Sequence, residues 1–247
     1  MSGRGAGLLS DDELERSAVV ANCAMNRERQ LSGVNSYARE LGFDPLAFLA
    51  SRLTADAAPS TASWLDLCCG AGLALIQAAG KLAGTSLAGR VSLTGVDLAG
   101  MFIPRPSPAP ALRLVAASVT AWEPDRAFDL ITCVHGLHYV GDKLATLIRA
   151  ASWLTPGGLF IADLDLTSIR VPGGQTADRR LAARLRAAGF AYSIRRHQIT
   201  RTGPASLRLP YTYLGADDRA GPGYTGQPAV HSYYEEEAPD SQPAEPH

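Results

Sequence analysis

Three groups of residues in this sequence have types and spacings that could do chemistry. The first is Asp66-Leu67-Cys68-Cys69-Gly70-Ala71-Gly72, an acid followed by a glycine-rich turn. Its glycines let the backbone bend sharply and approach a ligand with no Cβ in the way. A helix beginning directly after it would offer unpaired N–H groups. The second is Asp97, closing the apolar run Val91–Val96. A carboxylate at a strand end can accept hydrogen bonds from both hydroxyls of a ribose. The third is His135-Gly136-Leu137-His138-Tyr139, past the apolar run Phe128–Val134. His135 and His138 are three apart and share a face if the segment turns helically. A neutral imidazole there suits a general base near pH 7, or simply walls a pocket. A metal site would need further ligands, and no recognisable spacing supplies them. Cys133 lies inside an apolar strand and reads as a buried, inert thiol.

The elements that must position these groups follow from pattern and punctuation. Ser10-Asp11-Asp12-Glu13 has capping-box spacing and predicts a helix running to about Leu31. Gly33 and Gly42 bracket a short helix over Val34–Leu41, and Asp44-Pro45 opens another through Leu53. From Ser63 the pattern becomes strand and helix in alternation. Strands are expected over Trp64–Cys68, Val91–Val96, Leu112–Ala116, Phe128–Val134 and Leu159–Leu164, the last after a Pro156-Gly157-Gly158 turn. Helices are expected over Leu73–Leu82, Lys143–Trp153 and Gln175–Ala188. Two further stretches, Tyr192–Thr200 and Ser206–Leu214, flank Thr202-Gly203-Pro204 as a hairpin. The expectation is an α/β fold: a Rossmann-like, mostly parallel seven-stranded sheet with helices on both faces, an antiparallel edge strand and an N-terminal helical lid. In such sheets ligands bind outside the carboxyl ends of the strands, where all three groups fall. The expected organisation is a lid over residues 1–62, a core over 63–214 and a largely flexible tail over 215–247, whose Glu235–Glu237 run reads as solvated.

Composition bounds the function. Of 247 residues, 46% are apolar, and 23 basic against 24 acidic residues leave a net charge of -1. That balance argues against nucleic acid as a partner. No apolar run approaches a membrane span, and the acidic N-terminus does not resemble a signal peptide. Four cysteines, two of them adjacent, read as free thiols of a cytoplasmic protein.

Together WLDLCCGAG, GVD, FDLITCVHGLHYV and LTPGG, in that order, resemble the class I S-adenosylmethionine-dependent methyltransferases. The resemblance covers Ser63 to Leu214. It implies S-adenosylmethionine as cofactor, with Asp66, Cys68, Gly70 and Gly72 along its methionine and ribose part and Asp97 on the ribose hydroxyls. Ser118 stands where the family often has an Asp on the adenine amino group, and His135 would lie beside the methyl group and acceptor. Tyr37, on the expected lid, could place its aromatic face near the sulfonium; an ordinary amphipathic helix is the alternative. Asp66 could instead order the glycine turn. This chain departs from the family in Cys68, which replaces the usual first glycine, and in Pro104, Pro106, Pro108 and Pro110, which forbid a helix after Asp97. No motif of the adenine- or glutamine-modifying branches follows the fourth strand. The expected acceptor is therefore a small molecule such as a secondary metabolite, with the methylated atom and the oligomeric state left open. A catalytically silent relative serving as a binding subunit is one alternative. A nicotinamide-dependent oxidoreductase is another, though it would want a third small residue where Leu75 stands.

Overall fold

The computed structural model describes residues 7–17, 19, 29–54, 59–104, 111–171, 175–176 and 179–237. Strands β1 (Ala62–Leu67), β2 (Val91–Asp97), β3 (Leu112–Ala116), β4 (Phe128–Cys133) and β5 (Leu154–Asp163) run parallel. Strands β8 (Ala191–Ser193) and β9 (Gln198–Thr202) complete a seven-stranded sheet in the order β3-β2-β1-β4-β5-β9-β8. β9 is antiparallel to β5, and β8 to β9. Every residue of β1 and β4 is buried. This is the continuous apolar pattern of central parallel strands covered on both faces. The chain order reverses between β1 and β4, which opens a crevice at their carboxyl ends.

Helix α1 (Asp11–Glu15) begins on the expected capping box: Ser10 N donates to Glu13 Oε2 at 2.8 Å and Glu13 N to Ser10 Oγ at 3.4 Å. It ends at Glu15, well short of Leu31; residues 18 and 20–28, with Cys23, lie outside the described part. Helix α2 (Tyr37–Leu41) starts three residues later than expected, after its cap Ser36, and stops at Gly42 in the left-handed region (φ 82°). In α3 (Pro45–Arg52), Asp44 Oδ1 accepts from Leu46 N at 2.8 Å. Helices α4 (Leu73–Leu82) and α5 (Lys143–Ser152) stand where the pattern puts them.

The expectation of a lid over residues 1–62 needs correction. Tyr37, Leu41, Leu49 and Leu53 belong to one core with Trp64, Leu75 and Leu93, so α2 and α3 are a layer of the domain. Their apolar positions pack in that core; α1 borders the carboxyl edge, and Glu40 of α2 reaches His135 there.

The tail expectation fails between Gly215 and Glu237. Strands β10 (Tyr211–Asp217) and β11 (His231–Glu236) join β6 (Ile169–Val171) and β7 (Gln175–Thr176) in a second, four-stranded sheet of order β10-β11-β6-β7. Glycine, proline and glutamate content suggested a solvated tail, but alternation decides: Ser232 and Tyr234 point inward and are fully buried. Tyr234 Oη receives Leu144 N at 3.1 Å and donates to Asp142 Oδ1 at 3.0 Å. The glutamate run is paired, Glu236 with Arg184 and Glu237 with Arg208. Lys143, also buried, donates to Val140 O, Val230 O and Ser232 Oγ at 2.7–2.9 Å, which ties α5 to β11. Burial pushes this ammonium down to about 7. Residues 238–247 lie outside the described part.

Ser206–Leu214 does not form the expected hairpin with Tyr192–Thr200. β9 already has β5 on one side and β8 on the other, leaving it no free edge. Within Tyr192–Thr200 the chain turns through Ile194–Arg196, with His197 at φ 46°, and makes its own hairpin. Pro156-Gly157-Gly158 lies inside β5 as an irregularity, where the pairing jumps from Phe128–Leu154 to Leu130–Leu159. Helix α6 (Arg179–Ala187) is shorter than expected because Gln175 and Thr176 pair with β6. No described helix is long and apolar enough to cross a membrane.

Candidate active site

The glycine turn follows β1 with three left-handed residues: Cys68 (φ 56°), Gly70 (60°) and Gly72 (76°). Cys68 occupies this region despite its Cβ, a conformation costing about 1 kcal/mol for a non-glycine residue. Close packing explains the small residues around it. A Cβ on Gly95 would lie 2.7 Å from Cys69 Sγ, and one on Gly136 would lie 2.4 Å from Cys68 Cβ. Cys68, Cys69 and Cys133 are free thiols. Gly72 caps α4, as expected for a turn that feeds a helix N-terminus.

Asp97 holds the turn. Its Oδ2 accepts Gly70 N at 2.9 Å and its Oδ1 accepts Ala99 N at 3.0 Å. These two bonds fix the carboxylate at the end of β2. The segment after it is not helical; Ile103 N donates to Ala71 O at 3.0 Å, while residues 105–110 lie outside the described part.

A cleft runs along these strand ends. Cys68 and Gly70 border it from β1, Asp97 and Leu98 from β2, and Ser118 and Thr120 from the loop after β3. Gly136 and Tyr139 border it after β4, and Leu14 and Glu15 close it from α1. Ser118 Oγ pairs with Glu15 and lies 2.8 Å from Thr120 Oγ1.

Asp66 is not in the cleft. It is fully buried, accepting from Tyr37 Oη at 2.7 Å and Thr132 Oγ1 at 2.6 Å, while Trp64 Nε1 donates to Thr132 at 2.8 Å. It is therefore not among the residues that border the cleft, and the glycine turn is held by Asp97. The Asp66 network locks α2 to β1 and β4. Tyr37 is corrected with it: its ring packs edge-on against Trp64 in the core, centroids 5.9 Å apart, and presents no face to the cleft.

Burial raises the Asp66 carboxyl to about 7. An unfolded aspartate titrates near 4, so between about pH 4 and pH 7 the folded state keeps a proton that the unfolded state has released. Stability must therefore fall as pH rises through that window and level off above it. Asp66→Asn, neutral throughout, is expected to make the fall shallower. Thermal midpoints from pH 4 to 8 check this; an unaltered slope would assign the titration to other groups.

The two histidines sit beside the cleft, not in its wall. His135 is left-handed (φ 55°); its N donates to Asp163 Oδ2 at 2.9 Å, and its Nε2 lies 3.6 Å from Glu40 Oε2. The His135 ring is the main cause that holds Glu40 down to about 2, so this carboxylate is ionised. His138 stacks on His135 at 5.7 Å, and Tyr224 stands edge-on to it at 5.2 Å. Burial pushes His138 down to about 3. It is neutral at pH 7 and too weak a base for the expected catalytic role; it is a buried ring packed against His135 and Tyr224. Tyr224 in turn stacks on His197 at 4.0 Å. Sequence reasoning missed Glu15, Glu40, Asp163 and Tyr224, each brought in by a partner distant along the chain. Among the described residues no cluster of three or more His, Cys, Asp or Glu could hold a metal ion.

A family model described as a methyltransferase domain matches residues 34–201. The chain belongs to the methyltransferase-domain family. Its class I members take the methyl group from S-adenosylmethionine. The match includes α2 and α3, in keeping with their place in the core, and the nicotinamide alternative falls away. No curated protein matches this methyltransferase.

Solved structures similar to the methyltransferase are distant. Phosphoethanolamine N-methyltransferase 2 of Haemonchus contortus is 16% identical over 63% of this chain and 35% of its own, with a TM-score of 0.40. The N-methyltransferase NodS of Bradyrhizobium japonicum is 16% identical over 63% of this chain and 84% of its own, at 0.36. The amino pentose methyltransferase CalS10 of Micromonospora echinaspora is 24% identical over 51% and 52%, at 0.34. The chain spans little more than a third of the first matched structures, 35–37% of their length.

Proposed function

We propose that this methyltransferase transfers a methyl group from S-adenosylmethionine to a small-molecule acceptor. The observation that carries the reading is Asp97: a carboxylate at the carboxyl end of β2, one strand from the switch point, fixed by Gly70 N and Ala99 N and bordering a cleft. That is the donor–acceptor chemistry a ribose diol needs. Gly70, Cys68 and the left-handed turn leave the backbone open to the cofactor's amino-acid end. When bound, S-adenosylmethionine supplies an electrophilic methyl on a sulfonium. The protein's task is then to align the acceptor and exclude water, and positioning provides most of the rate gain.

The acceptor side is His135, Glu40 and Tyr224, across the Gly136–Tyr139 turn from the cleft. His135 Nε2 faces the ionised Glu40 carboxylate at 3.6 Å and points its hydrogen there, which leaves Nδ1, a buried nitrogen with no hydrogen-bond partner among the described residues, as the atom to take a proton from the acceptor. The wall is polar and aromatic, which suits a small molecule carrying a hydroxyl or amine. Isothermal titration with S-adenosylhomocysteine and, in parallel, NAD tests the cofactor half. Binding of the first and not the second is expected; the reverse would overturn the reading. Methyl release from labelled S-adenosylmethionine into a panel of small phenols and amines then separates an enzyme from a silent binding subunit.

A further inference from the structure

The geometry points to Glu15 of α1 as the residue that selects the adenine base, by accepting its exocyclic amine; this inference rests on the cofactor reading above. The loop after β3 carries Ser118 at the position beside the end of β2, where Ala117 N donates to Asp97 O at 3.1 Å. Neighbouring strand ends are about 4.8 Å apart. Ser118, Thr120 and Glu15 border the same cleft as Asp97, so a base attached to a ribose on Asp97 meets them when it lies toward β3. Apolar Leu98, Met101, Val119 and Leu14 line that end of the cleft, as a planar base requires.

Ser118 cannot itself be the reader. Its single proton goes to Glu15 Oε1, and its oxygen accepts Thr120 N at 3.1 Å. Thr120 Oγ1 has Ser118 Oγ at 2.8 Å and Glu15 Oε1 at 3.5 Å for its own proton. The two hydroxyls thus turn inward onto the carboxylate and orient it. What this end of the cleft offers a ligand is the carboxylate, a strong acceptor with lone pairs to spare. It suits a base edge bearing an N–H donor and repels one bearing a carbonyl. Glu15 is held firmly enough to discriminate. Leu14 beside it is fully buried, Asp11 Oδ1 accepts Tyr213 Oη at 2.9 Å, and Leu9 pairs with Ala216. A carboxylate from the N-terminal helix thereby occupies the place that the loop after β3 leaves to a serine.

The test is titration calorimetry of S-adenosylhomocysteine against S-inosylhomocysteine, whose base carries a carbonyl in place of the amine. Wild-type protein is expected to prefer the adenosyl compound by about 10- to 100-fold, the range of a hydrogen bond to a charged group. Glu15→Ala should bring the two affinities within about threefold, and Ser118→Ala, which keeps the carboxylate but loosens it, should narrow the gap less. Equal discrimination in wild type and Glu15→Ala, with S-adenosylhomocysteine bound by both, overturns this inference alone. If Glu15→Ala fails to fold, the wild-type ratio still decides, since no adenosyl preference overturns it. Failure of the wild type to bind either compound overturns the cofactor reading and this inference with it.

Discussion

Tyr234→Ala is expected to lower stability by about 3–5 kcal/mol, the cost of emptying a buried aromatic site. Tyr234 is 1% exposed and lies in the main core with Tyr211 and Tyr213 packed around it. Removing its hydroxyl also strands two groups at the start of α5: Leu144 N loses its acceptor and Asp142 Oδ1 a donor. For a domain of this size the thermal midpoint should drop by about 10 °C. Tyr234→Phe, which keeps the ring, should lose only about 1–2 kcal/mol. Denaturant melts of both variants check the ordering. A midpoint unchanged in Tyr234→Ala would return the C-terminal segment to the role of a solvated tail.

Asp97→Ala should weaken S-adenosylhomocysteine binding by about 2–4 kcal/mol. Two losses add: the diol loses its charged acceptor, and Gly70 N and Ala99 N lose theirs, so the glycine turn loosens where the ligand must sit. Asp97→Asn, with one oxygen remaining, is expected to fall between. Calorimetry on protein shown to be folded by circular dichroism measures both. An affinity within twofold of wild type in Asp97→Ala would mean the ribose is held by another group.

What could be read from the sequence is what local pattern encodes. α4 and β3 stand over the residues that periodicity and glycine punctuation mark out, and β1, β2 and β4 end within a residue of expectation. The turn geometry at Gly70 and Gly72 and the place of Asp97 follow from the same local signals. The second sheet was not legible because β6 and β7 hold only 3 and 2 residues and all four strands come from segments that only the tertiary fold brings together. The same holds for the pairs that decide the site. Tyr37 meets Asp66 across 29 residues, and Ser118 meets Glu15 across 103. Asp66 reads as a motif acid from its neighbours in sequence, yet its neighbours in space are two hydroxyls in the core. His138 reads as a poised base until its burial is known.

The bridge between Leu9 and Ala216 has a consequence for how the protein is made. Segments distant along the chain meet here, through Leu9 N to Ala216 O at 2.8 Å and the bond from Tyr213 to Asp11, 202 residues apart. Synthesis runs from the N-terminus, so α1 leaves the ribosome long before β10, the strand that receives it. Contacts of such high sequence separation form late and slow folding. The parallel strands can pair as they emerge, while Leu14, which packs with Ala216 and Val230, has no seat until translation has passed β10. Until then the nascent methyltransferase carries a cleft open on one side, and the wall that α1 supplies can close only once β10 is in place.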